Sequence, residues 1–96
     1  MRTELDAARG SYWEDPAGSL AAAIRIAGQT GDDGVRARAL ALQGAVSLHL
    51  GNLQGAFALA TEAEPLAGTD SAARCEVAAL KAHLSFFSGS YVEALH

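Results

Sequence analysis

The chain is poor in basic residues, cysteine, proline and β-branched side chains, and each shortage excludes something. Its single Lys and six Arg are scattered among eleven Asp and Glu, giving a net charge of -4 and a pI near 5.1. Nucleic acid is not an expected partner, because affinity for a phosphate backbone needs clustered positive charge. The lone Cys75 allows no intramolecular disulfide and no cysteine-based metal cluster. No apolar run approaches the roughly 20 residues that span a bilayer. The opening Met1-Arg2-Thr3-Glu4-Leu5-Asp6 is charged and lacks the apolar core of a secretion signal. These absences lead to the expectation of a soluble, cytoplasmic protein without a membrane partner.

What the chain does have is alanine. Half of its 96 residues are hydrophobic, which is enough for one core, although a domain this short has a small margin of stability. Alanine loses no side-chain entropy in a helix, whereas Val, Ile and Thr do, so the composition predicts an all-α fold. The punctuation agrees. A short helix is expected over 3–13. Asp15-Pro16 then restarts the chain, with Asp15 as cap and Pro16 at the first helical position, where a missing N–H costs nothing. The second helix should run to about Gly28 with Leu20, Ala23, Ile24 and Ala27 on its apolar stripe, and Asp32 or Asp33 caps the next. The third, over about 34–50, is apolar on most of its circumference and must pack on more than one face. Leu40, Gly44 and Ser47 lie on one side of it, and Leu42, Val46 and Leu50 on another.

Gly51-Asn52 ends this helix and starts a fourth, expected to run to about Glu64 with Ala56, Phe57, Ala60 and Ala63 inward and Pro65 as breaker. Thr69-Asp70-Ser71 caps a fifth over about 71–88, carrying Leu80, Leu84 and Phe87 at helical spacing. Gly89-Ser90 repeats the turn chemistry of Gly51-Asn52, so a partial sixth helix is expected from Tyr91 to His96. The helix pairs are thus about 3–29, 33–67 and 70–96 of a single domain, and the shortened last pair reads as the end of an N-terminal fragment of a longer protein.

Gly51-Asn52-Leu53-Gln54-Gly55-Ala56 recurs as Gly89-Ser90-Tyr91-Val92-Glu93-Ala94, 38 residues on. The same register sets Gly44 on Ala82, Ser47 on Ser85 and Ala56 on Ala94, small residues where helices must approach closely. Gly44 is expected against the fourth helix, beside Ala56. A small residue on the first helix, Gly at the turn, and Leu or Tyr with Ala three residues later resembles the tetratricopeptide repeat, and Tyr91-Val92-Glu93-Ala94-Leu95 is especially typical. The family repeat is about 34 residues long and carries an aromatic early in its first helix. Here Leu40 and Ala78 stand in that place, and the loops around Gly31-Asp32 and Thr69-Asp70 add length. Lengthened repeats of this kind resemble those preceding diguanylate cyclase domains or within large transcription regulators of bacteria. The resemblance implies antiparallel helix-turn-helix units stacked as a short right-handed solenoid.

No residue set announces chemistry. His49 and His83 take nearly the same place on successive first helices, without the spacing of a metal site. Cys75 reads as a small buried hydrophobe. Gly28 to Gly34 fits no phosphate-binding pattern and follows no strand, and Glu62 and Glu64 point different ways from one helix. For Tyr12, Trp13, Phe86 and Phe87 core packing is the default, with exposure for a partner as the other reading. No enzyme activity, cofactor or metal is expected. The resemblance implies a protein-interaction or regulatory scaffold, the sensory or regulatory part of a bacterial signalling protein, binding a protein or peptide on the first helices. Matching groove positions are Arg38, Ala45 and His49, then Glu76, His83 and Phe87. The alternative is a structural module that dimerises attached output domains, as a homodimer through the C-terminal end at Tyr91, Val92 and Leu95.

Overall fold

The computed structural model describes the backbone of residues 2–95 and the side chains of residues 3–87. Within those limits the chain is all-α: α1 (Arg2–Gly10), α2 (Pro16–Gln29), α3 (Asp33–His49), α4 (Leu53–Ala67) and α5 (Ser71–Leu95). Four helices start on the same device. A side-chain oxygen of Asp15, Asp32, Asn52 or Asp70 accepts from the backbone N–H three residues on, at 2.9–3.1 Å. Each bond satisfies one of the N–H groups that a helix start leaves without an internal partner. Pro16 occupies the first turn of α2 behind its Asp15 cap.

The turn between α3 and α4 follows from Gly51. Its φ is +87°, a region closed to most L side chains. That conformation lets Gly51 N–H donate to the Leu48 carbonyl and Asn52 N–H to the Ser47 carbonyl, closing the end of α3. Asn52 then caps α4.

Contacts fix the directions of the helices. Asp6 meets Arg38 and Tyr12 meets Ala45, so α1 and the turn after it run parallel to α3. Arg38 meets Glu76 and Gly44 faces Leu80, so α3 and α5 are parallel too. α2 runs back along α1, with Ser19 beside Ala8 and Arg25 beside Glu4. The short connections leave consecutive helices as antiparallel neighbours. α1, α2 and α3 form one three-helix group, α3, α4 and α5 another. Neither α1 and α5 nor α2 and α4 touch through their backbones.

α3 therefore serves two cores. Val35, Ala39, Leu42 and Val46 pack with Leu5, Ala8, Ala23 and Ile26. Ala37, Leu40 and Ala41 pack with Ala56, Ala60, Ala63 and Ala67 of α4 and with Ala73, Val77, Leu80 and Leu84 of α5. The two-sided packing expected from its apolar circumference is what the structure has. Alanine at four turns of α4 lets that helix lie close, and no larger side chain holds the axes apart.

Several expectations are corrected. α5 continues through Gly89 and Ser90 to Leu95, so no separate sixth helix forms. One glycine in a helix costs only about 1 kcal/mol, and the few residues after it are too short to form a stable reversed helix of their own. α4 passes Pro65 and ends before Gly68, whose φ is +51°. Ile24 and Phe57, expected on apolar faces, are exposed, and so are Leu50 and Phe87. On α2 the buried positions are Ser19, Ala23 and Ile26, and the Ser19 hydroxyl donates to the Ala8 carbonyl at 2.6 Å. The neighbour of Gly44 is also different: a Cβ placed there would lie 2.5 Å from Leu80 Cδ2, on α5 rather than α4.

That contact generates a test. Gly44→Leu should overpack the α3–α5 crossing and cost about 1–3 kcal/mol. Leu80→Ala alone should cost about 2–5 kcal/mol by opening a cavity. Denaturant melts of the double variant should give a loss smaller than the sum of the two, because the shortened side chain makes room for the added one. Strict additivity would show that the two residues do not meet.

Candidate functional site

Four charged side chains tie α1, α3 and α5 together. Arg38 is 8% exposed, and its guanidinium donates from Nε to Glu76 at 3.1 Å and from Nη2 to Asp6 at 2.6 Å. Glu76 accepts also from Arg9. Burial opposes the charge on Arg38, but its hydrogen bond to Asp6 and the nearby charge of Glu76 outweigh it and hold its pKa above the ordinary value. Asp6 and Arg9 are three apart on α1, hence on one face; Arg38 of α3 bridges Asp6 to Glu76, and Arg9 reaches Glu76 directly.

One turn further along the same direction the chemistry changes from ionic to aromatic. α1 stops at Gly10, and the turn Ser11–Glu14 follows it, held by Ser11 N–H to the Ala7 carbonyl and Asp15 N–H to the Ser11 carbonyl. This turn carries Tyr12 over α3, where its hydroxyl donates to the Ala45 carbonyl at 3.3 Å. Burial pushes the Tyr12 phenol above its ordinary pKa. Trp13 stands edge-on to Tyr12 at 4.9 Å between ring centroids, and His49 stands edge-on to both, at 5.6 Å and 5.3 Å. Edge-to-face contacts at these distances are favourable aromatic geometry. Across α3, Phe86 and Phe87 form a second perpendicular pair on α5, 5.7 Å apart.

Between the two aromatic groups lies an open trough of about 590 Å³. Leu42, Ala45, Leu48 and His49 of α3 make its floor. Arg9, Tyr12 and Trp13 line one side, and His83, Phe86 and Phe87 the other. A narrower hollow of about 110 Å³ adjoins it over Ala41 and Leu80, bounded by Arg9 and Glu76. Trp13 is 76% exposed and Phe86 68%, so these rings are not part of either core.

Of the groove positions proposed from the repeat register, Ala45, His49, His83 and Phe87 come together in this trough. Arg38 and Glu76 do not line it: their polar groups are consumed by the ion-pair chain beneath. The side chains of Tyr91, Val92 and Leu95 lie outside the described residues. Arg9, Tyr12, Trp13 and Phe86 were not among the named groove positions. An initial helix drawn through residue 13 hides the turn that swings Tyr12 and Trp13 over α3. Cys75 is exposed on α5 rather than buried. Among the described residues no group of three or more His, Cys, Asp or Glu is placed to hold a metal ion, and no helix is long and apolar enough to cross a membrane.

The ion-pair chain should behave as a buried pair. Glu76→Ala leaves Arg38 buried with one carboxylate fewer, at a cost of about 3 kcal/mol or more. Arg38→Met combined with Glu76→Leu should cost less than Glu76→Ala alone, since the charges left without that partner, Asp6 and Arg9, are exposed rather than buried. Thermal unfolding of the two variants ranks them, and a double variant less stable than Glu76→Ala would show that the pair is not buried as described.

No family model, curated protein or solved structure matches the chain, which leaves the trough to be interpreted from its own geometry.

Proposed function

We propose that the chain is a protein-interaction module of tetratricopeptide-like build, and that the trough over α3 is its ligand face. The observation that carries this is the concentration of exposed aromatic surface in one hollow. The sequence has six aromatic residues, Phe, Tyr and Trp together, and four of them, Tyr12, Trp13, Phe86 and Phe87, line this trough. Clustered exposed apolar side chains mark interaction surfaces, and Trp and Tyr dominate the residues whose loss most weakens protein interfaces. An open trough suits an extended or helical segment of a partner better than a small molecule, which needs most of its surface enclosed.

The helix arrangement supports the repeat reading. α1, α3 and α5 run parallel while each intervening helix returns, as expected of stacked helix-turn-helix units in a short solenoid whose first helices line the binding face. The resemblance to lengthened bacterial repeats adds a regulatory role: the module would take a protein or peptide signal on behalf of an attached output domain. Arg38 and Glu76 then act as the joint that holds the first helices in register, and the contact surface consists of the rings and imidazoles above them.

A random-peptide display library panned on the full chain tests this. It should yield clones that bind through the trough. Trp13→Ala combined with Phe86→Ala should weaken them at least tenfold, with helix content and melting temperature nearly unchanged because both rings are exposed. Clones that bind the double variant equally well, or a selection that yields none, would contradict the proposal.

A further inference from the structure

The polar groups at the trough are one-sided. Beside the aromatic rings stand Arg9, His49 and His83, all able to donate N–H. No Asp or Glu lines the trough among the described residues, although the chain as a whole carries a net charge of -4. The carboxylates nearest to it are engaged. Glu76 accepts from both Arg9 and Arg38, and Asp6 accepts from Arg38. Glu14 follows Trp13 in the exposed turn but is not part of the lining. Arg9 bonds Glu76 through Nη1, and its side chain is 54% exposed. A guanidinium has five N–H groups, so it retains donors that face solvent.

We propose that the segment bound in the trough is apolar and carries a carboxylate, either an Asp or Glu side chain or a C-terminal carboxylate. This rests on the trough being a peptide-binding face and adds the chemistry of its occupant. The apolar part meets the rings of Trp13, Phe86 and Phe87. The carboxylate meets Arg9, with the imidazoles of His83 and His49 as further donors. Charge-assisted bonds from a guanidinium to a carboxylate are stronger than neutral ones, and displaced water beside the rings lowers the local dielectric and strengthens them further. A cationic segment would also find aromatic faces. It would find Arg9 in the same hollow, however, and no carboxylate in the described lining to receive it.

The test starts from the clones selected on the full chain and dependent on Trp13 and Phe86. Their sequences should be enriched in Asp or Glu, or end in a free carboxylate, next to two or more apolar residues. Synthetic peptides of the strongest clone are then titrated while the emission of Trp13, the only Trp of the chain, is followed. Replacing the acidic residue of the peptide by Lys, or amidating its C-terminus where that is the anionic group, should raise Kd at least tenfold. Arg9→Gln should abolish most of that difference while an uncharged version of the peptide binds the variant as it binds the parent chain. Trough-dependent clones that are basic or uncharged, or a Kd indifferent to the carboxylate, would overturn the proposal and leave the binding face standing. A difference that persists in full in Arg9→Gln would overturn the assignment to Arg9. A selection without any trough-dependent clone would remove the binding face itself, and this proposal with it.

Discussion

Everything in this fold depends on burying α3 against two cores at once. A helix apolar around most of its circumference has no favourable exposed state, since each buried Leu or Val contributes roughly 1.5–3 kcal/mol only when water is excluded. Leu42 and Val46 reach into one core, Leu40 and Ala41 into the other. The two three-helix groups are consequently not separate packing problems. Loss of either exposes half of α3, so in a chain with so small a core the groups should stabilise one another. The buried charge of Arg38 adds directionality to this apolar packing. It accepts only a partner geometry that brings both Asp6 and Glu76 within hydrogen-bond reach, which fixes how α1 and α5 lie along α3.

The trough is a by-product of the same constraint. α1 and α5 flank α3 without touching through their backbones, and the ion-pair chain closes the gap at one end only. At the other end the turn after α1 and the last described turns of α5 diverge over α3, and the aromatic rings there find no core to enter. Rings held over a helix that is itself immobilised lose little entropy when a ligand arrives, which favours binding.

Much of the scaffold was legible because local chemistry decided it. Asp15, Asp32, Asn52 and Asp70 each needed only the residues next to them to act as caps, and the two-faced character of α3 followed from its periodicity. The misses share another cause: they depended on long-range packing. Ile24 and Ile26 differ by two positions on α2, and the packing of that helix against both α1 and α3 decides which one is buried. Gly89 has the chemistry of a turn, as Gly51 does, but a turn forms at Gly51 because Ala56, Ala60 and Ala63 then have α3 to pack against. The 38-residue sequence register placed Ala45 over His83 and His49 over Phe87, and these four line one trough because α3 and α5 run parallel. It gave no account of Trp13, which lies in a turn outside any repeat, or of Arg38, whose charge is spent within the protein.

The measurement that bears most directly on this account is native-state amide hydrogen exchange along the chain. If α3 is the wall shared by both cores, its central amides, from about residue 38 to 46, should exchange only through global unfolding and be the slowest of all, because an element packed into both cores opens last. α1 and the exposed turn at Tyr12 and Trp13 should open first. Central α3 amides that exchange faster than those of α2 or α4 would contradict the account, since α3 would then be a peripheral helix and the trough above it would have no fixed floor.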